Sequence, residues 1–200
     1  MDELTLLDWR RRVSELYAAV RAEPVPERAH RLWRAGRDDL LRTHAQSPLP
    51  PDSPLRETGV PCWDYDPAVR FELPVVPVED GVVRRVPTGD VTIVQRLVGR
   101  VDLPEPVGGS LGVWELQQYA QGIFVPLRDA TAGTTTYGAG RYLLDTAKSA
   151  DLGGTADTLV IDLNFAYHPS CRYDSRWVCP LAAAENRLER PVQAGERLAW

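Results

Sequence analysis

The side chains best suited to chemistry crowd into the C-terminal third of the chain. Residues 134–143 hold Tyr137, then Gly138-Ala139-Gly140, then Arg141. Two glycines around one small residue permit a sharp turn or a close backbone approach. An arginine directly after such a turn is placed to grip a carboxylate or phosphate with both arms of its guanidinium. The competing reading is structural, with Arg141 paired to a buried acid such as Asp145 or Asp162. The glycines do not complete a dinucleotide fingerprint, because no helical pattern of useful length follows them.

The next cluster is Asp162-Leu163-Asn164-Phe165-Ala166-Tyr167-His168-Pro169-Ser170-Cys171. On a strand, Asp162 and Asn164 project from one face, while Leu159, Ile161, Leu163 and Phe165 supply an apolar face opposite. Whether the polar face meets a lumen or solvent is open. Cys171 and Cys179 are separated by seven residues, and three readings compete for them. A disulfide would contribute about 2–3 kcal/mol through loop entropy. With His168 the pair offers three zinc-type ligands and one open position. Otherwise they are inert thiols; Cys62, alone among prolines, reads as a packing residue. No cofactor is expected, zinc being the alternative. His168 as a general base needs a nucleophile and an orienting carboxylate, with Cys171, Ser170 and Asp162 as candidates. His30 and His44 read as surface or cap residues of the N-terminal part.

These groups need a scaffold. Leu4 to Ala22 places Trp9, Val13, Leu16, Tyr17 and Val20 on one helical stripe. Pro26 opens a second helix that runs to about Ala45 with Ala29, Leu32, Trp33, Gly36 and Leu40 on its face. Residues 48–77 hold eight of the 17 prolines, which excludes regular helix and central strand. Trp63, Tyr65 and Phe71 make this stretch an extended wrap. Period-two, valine-rich runs follow at Val82–Val86, Val91–Val101, Leu111–Gln118, Gly122–Leu127 and Thr158–Phe165, with breaks at Glu79-Asp80-Gly81 and Thr88-Gly89-Asp90. The pattern describes one domain over residues 1–200: a helical cap at 1–46, a wrap at 47–77 and a mainly β core at 78–200. An antiparallel β-sandwich or partly closed β-barrel with an N-terminal helical pair is expected.

The 200 residues carry a net charge of −5, which argues against wholesale nucleic-acid binding. No apolar run reaches the roughly 20 residues of a membrane span. The opening Met1-Asp2-Glu3-Leu4 shows no export signal, so a cytoplasmic address and reduced thiols are expected. Lys148 is the only lysine among 23 basic residues. Arginines concentrate on the two helices, where they suggest either an anionic partner or a solvated face around inward-packed Trp9 and Trp33.

The ordered series Ser47-Pro48-Leu49, Thr136-Tyr137-Gly138-Ala139-Gly140-Arg141-Tyr142, residues 162–171, Cys179-Pro180-Leu181, Glu185-Asn186-Arg187-Leu188 and Ala194-Gly195-Glu196 resembles the DUF1684 family, a prokaryotic domain family of similar length. The resemblance implies a single domain and assigns no activity. Many relatives look exported, which implies a disulfide between the equivalents of Cys171 and Cys179 in them. The family commonly reads Tyr-Asn-Pro where this chain has Tyr167-His168-Pro169, so a His168 mechanism would not be family-wide. Tyr137, Arg141, Asp162, Asn164, Tyr167, Glu185 and Asn186 fall within these motifs. They are the candidate contacts for a small polar or anionic ligand in a barrel-like pocket, with monomer or homodimer as the assembly. The rival readings are a hydrolase using Asp162, Glu185 or His168 as acid or base, and an interaction module built on the basic helices.

Overall fold

Two helices follow from the apolar spacing of the first 45 residues. A computed structural model describes residues 2–88, 91–117, 119 and 121–199. Met1, Gly89, Asp90 and Gln118, on which parts of the sequence reading fall, lie outside them. Helix α1 spans Asp2–Ala22 and α2 spans Pro26–Thr43, with the proline in the first turn as its fixed φ favours. The helices pack closely where Gly36 faces Leu16: a Cβ at Gly36 would sit 2.5 Å from a Leu16 methyl. The inward face of α2 buries Ala29, His30, Trp33, Leu40 and Leu41. His30 is therefore a core residue and not the surface residue its position suggested, packed against Trp33, Tyr65 and Phe165. His44 does cap α2, but it is buried, with its ring Nε2 3.1 Å from Asp8 Oδ2.

Beyond α2, the Ser47 hydroxyl donates to Leu41 O and accepts from Leu49 N, turning the chain into the proline-rich wrap. A single turn of helix, α3 (Leu55–Thr58), interrupts it. The wrap then runs beside the C-terminal segment: Trp63 N donates to Gly195 O, and Arg197 N to Pro61 O.

The strands are β1 (Arg70–Pro74), β2 (Val76–Pro77), β3 (Val83–Thr88), β4 (Val91–Asp102), β5 (Ser110–Leu116), β6 (Ile123–Leu127), β7 (Arg141–Asp145) and β8 (Thr158–Asp162). All named pairings are antiparallel. The larger sheet runs β2-β4-β5-β6-β7, with β3 also on β4, and a second sheet pairs β1 with β8. The larger sheet is open, so the architecture is sandwich-like and not a closed barrel. A bridge between Tyr142 and Tyr167 ties β7 to the chain following β8.

Period two explains why both faces of the larger sheet are covered. Val113, Val125 and Leu143 enter the main core with Tyr17 and Trp33 from the helices. Their neighbours Trp114, Phe124 and Tyr142 form a second cluster with Ala183 and, at its edge, Cys179. Strand β8 is shorter than its alternation suggested. The Asp162 carboxylate accepts from Asn164 N and ends the strand in a 3-10 turn over Leu163–Phe165.

Candidate functional site

Arg141 opens β7 directly after Gly140, whose φ is +96° and whose missing Cβ would clash with Leu127 O at 2.5 Å. The turn predicted from the glycines is there, but it serves the fold. The guanidinium is 1% exposed and donates to Asp129 Oδ2 at 2.7 Å, to Val192 O at 3.0 Å, to Glu196 O at 3.2 Å and to Ala194 O. Its acid is thus Asp129, and neither Asp145 nor Asp162. Nor is it a free anion grip, since its donors are engaged by a carboxylate and three carbonyls. Burial draws its pKa down, against the attraction of Asp129.

Asp162 and Asn164 face neither lumen nor solvent; both are buried. Asn164 donates to Asp162 Oδ1 and to Asp66 O, and accepts from Asp66 N, pinning the wrap to the 3-10 turn. Tyr65 donates to Asp162 Oδ2 at 3.3 Å. Burial pushes the Asp162 carboxyl up to about 6 despite these bonds. Asn186 is equally committed: it accepts from Trp114 Nε1 at 2.6 Å and donates to Gly112 O and Pro126 O. Glu185 is exposed and pairs with Arg84 at 3.2 Å. Asp162 and Glu185 have separate partners and form no acid–base pair.

His168 lies against Glu196, a buried carboxylate held by Arg37. Its backbone N–H donates to Glu196 Oε2 at 2.7 Å, and its ring Nε2 accepts from Tyr137 N at 3.3 Å. Burial, only partly offset by Glu196, draws the imidazole down to about 4. Among the described residues no three His, Cys, Asp or Glu side chains converge as metal ligands, so His168, Cys171 and Cys179 form no zinc set. Cys62, Cys171 and Cys179 are all free thiols.

Of the candidate residues, Tyr167, Ser170 and Cys179 line a cavity of about 190 Å³ between the helix pair, the end of β7 and residues 169–179. Its walls are mostly aromatic and apolar: Trp9, Val13, Leu16 and Tyr17 from α1, Trp33 from α2, then Tyr142, Trp177 and Val178. The Arg37 guanidinium stacks 4.7 Å from the Tyr167 ring centroid, beside this wall. Two polar atoms stand out. Asp145 Oδ1 and Trp177 Nε1 are buried without a hydrogen-bond partner. Asp145 Oδ2 faces Lys148 Nζ at 3.4 Å. Three other unpartnered atoms, on His30, Arg34 and Gln95, belong to residues outside this cavity wall. Buried polar groups are nearly always satisfied, and leaving one bare costs about 1–3 kcal/mol. An orphan acceptor and an orphan donor on one apolar cavity are the chemistry of a binding site. Sequence reading took Asp145 only as a possible partner of Arg141 and the stripe of α1 as helix packing, and it assigned neither these nor Trp177 to a site, because they carry no motif.

A model of the family described as "Protein of unknown function (DUF1684)" matches residues 57–197. The chain belongs to the DUF1684 family. A solution NMR structure of an uncharacterised protein from Haloarcula marismortui is 32% identical to this chain, covering 82% of it and 90% of the other chain, with a TM-score of 0.58. No curated protein matches the chain. Among the described residues no helix is long and apolar enough to cross a membrane.

Proposed function

We propose that this DUF1684 chain binds a small, largely apolar molecule in the cavity between its helix pair and β7. The observation that carries this reading is the pair of unpartnered polar atoms, Asp145 Oδ1 and Trp177 Nε1, on one aromatic wall. A dry cavity of about 150 Å³ accommodates benzene, so about 190 Å³ suits one ring with a short polar substituent. The ligand presents a donor to Asp145 and an acceptor to the Trp177 indole. A carboxylate oxygen disfavours an anion, so the ligand is a hydroxyl- or amine-bearing molecule. The anionic partner suggested by Arg141 does not fit this cavity.

Trp9, Trp33 and Trp177 on the wall provide the readout. Intrinsic fluorescence titrations with benzyl alcohol, benzylamine and benzoate compare three charges on one ring. The alcohol or the amine is expected to bind at least about tenfold more tightly than benzoate, a difference of roughly 1.4 kcal/mol. Asp145→Ala is expected to erase that preference. Tighter binding of benzoate, or an unchanged order in Asp145→Ala, overturns the reading.

A further inference from the structure

A second cleft, of about 250 Å³, opens between the proline-rich wrap, the 3-10 turn over Ser170–Arg172 and the C-terminal segment. Pro54, Leu55, Val60, Pro61 and Leu198 make its walls largely apolar, and Arg172 and Arg197 bring two cations to it. Among the described residues no Asp or Glu lines it. Both arginines are partly buried, and neither has a carboxylate partner among the described residues. The Arg172 guanidinium rests 5.7 Å from the Tyr173 ring centroid, and no side-chain bond to a described residue holds Arg197. Two other polar walls are already committed. His168 accepts from Tyr137 N and donates its backbone N–H to Glu196, and the Tyr173 hydroxyl donates to the same carboxylate at 3.5 Å. Backbone bonds hold the two cations from opposite sides. Tyr173 N donates to Ser170 O around Arg172, and Arg197 N donates to Pro61 O across the wrap.

We propose that this cleft binds a small organic carboxylate, with its anionic end on the guanidinium groups of Arg172 and Arg197 and its apolar chain along the wrap.

Drawing a charge out of water is costly unless a counter-charge meets it. The more deeply buried guanidinium groups have theirs, since Arg37 holds Glu196 and Arg141 holds Asp129. Arg172 and Arg197 face one cleft that supplies none, which leaves the place to an anion from outside. A guanidinium meets a carboxylate through two parallel N–H···O bonds. The apolar walls select the rest of the molecule, because burying hydrocarbon against them is favourable and a hydrated inorganic ion gains nothing there. A dry cavity of about 150 Å³ accommodates benzene, so about 250 Å³ takes a chain of about six carbons. The cleft shares no lining residue with the cavity beside β7, and its charge preference is the reverse.

Isothermal titration calorimetry of the full chain with hexanoate, methyl hexanoate and inorganic phosphate tests the proposal. The ester lacks the charge that this cleft requires and also the donor that Asp145 requires. Hexanoate is expected to bind at least about tenfold more tightly than either control, because the ester loses the charge-assisted bonds and phosphate the apolar contact. Arg172→Gln and Arg197→Gln are each expected to weaken hexanoate at least about tenfold. Asp145→Ala is expected to leave hexanoate binding unchanged, so failure here and failure of the reading of the cavity beside β7 are told apart. Should a variant fail to fold, the order of the three probes on the wild-type chain still decides. No binding of hexanoate, an ester or phosphate that binds as tightly, or an affinity unmoved in either glutamine variant overturns the proposal.

Discussion

Arg141 and Asp145 stand at the two ends of one five-residue strand, both buried and both charged side chains. One has its donors filled by a carboxylate and three carbonyls; the other leaves a carboxylate oxygen bare. The first arrangement is how a protein fixes geometry, and the second is how it keeps a place for something else. Burial and charge alone do not separate them. The count of satisfied bonds does.

The widest gap between the two ends should appear in stability. Arg141→Met strands the buried Asp129 carboxylate and is expected to cost about 3–5 kcal/mol in denaturant unfolding. Asp145→Asn removes a charge with few bonds to lose, and should change stability by less than a third of that. Equal losses would erase the distinction. Asn186 belongs with Arg141 in this scheme. Asn186→Ala leaves Trp114 Nε1 and two carbonyls unpaired, and about 3 kcal/mol or more is expected from lost buried bonds.

Acid sharpens the comparison further, because burial disfavours the charged form of each group. His30 and His168 are held neutral to about 4, against 6.5 for an ordinary histidine, by burial in each case. Between these values the unfolded chain binds more protons, so their contribution falls as pH drops from 6.5 toward 4. Asp162 works in the opposite sense. Its carboxyl, raised by burial from 3.8 to about 6, takes its proton first in the fold, so its contribution falls as pH rises through that window. Two groups against one leave a net loss on acidification, near 1.4 kcal/mol per pH unit where the windows overlap. His168→Asn should flatten the pH dependence measured by urea unfolding, and Asp162→Asn should steepen it. The smallest effect belongs to Glu185, whose exposed pair with Arg84 should make Glu185→Gln cost no more than about 1 kcal/mol.

Much of this architecture was legible. The helices, the wrap and five period-two strands announce themselves by apolar spacing and by proline, although β5 and β6 expose none of their residues. Strand β7 was not legible, since all five of its residues are buried and Arg-Tyr-Leu-Leu-Asp has no alternation. The partner of Arg141 lies twelve residues upstream, across a loop whose path the sequence does not specify. The cavity was invisible for a related reason. Trp9, Val13, Leu16 and Tyr17 read as an ordinary core stripe, and only the packing of α1 against Tyr142, Tyr167 and residues 169–179 leaves space beside them. Asp162 and Asn164 read as ligand contacts, and in the fold their side chains serve a 3-10 turn and the wrap.

The grip of Arg141 on Val192, Ala194 and Glu196 also dictates an order of events during synthesis. These carbonyls lie 51, 53 and 55 residues C-terminal to Arg141, and with the Gly195 contact to Trp63 they leave the ribosome well after it. Until they emerge, the guanidinium has only Asp129 and water. Strand β7 therefore stays incompletely sealed while the helices and the larger sheet are already available to form. Strand β7 is sealed only once residues 192–196 have been made, and that segment is its latch.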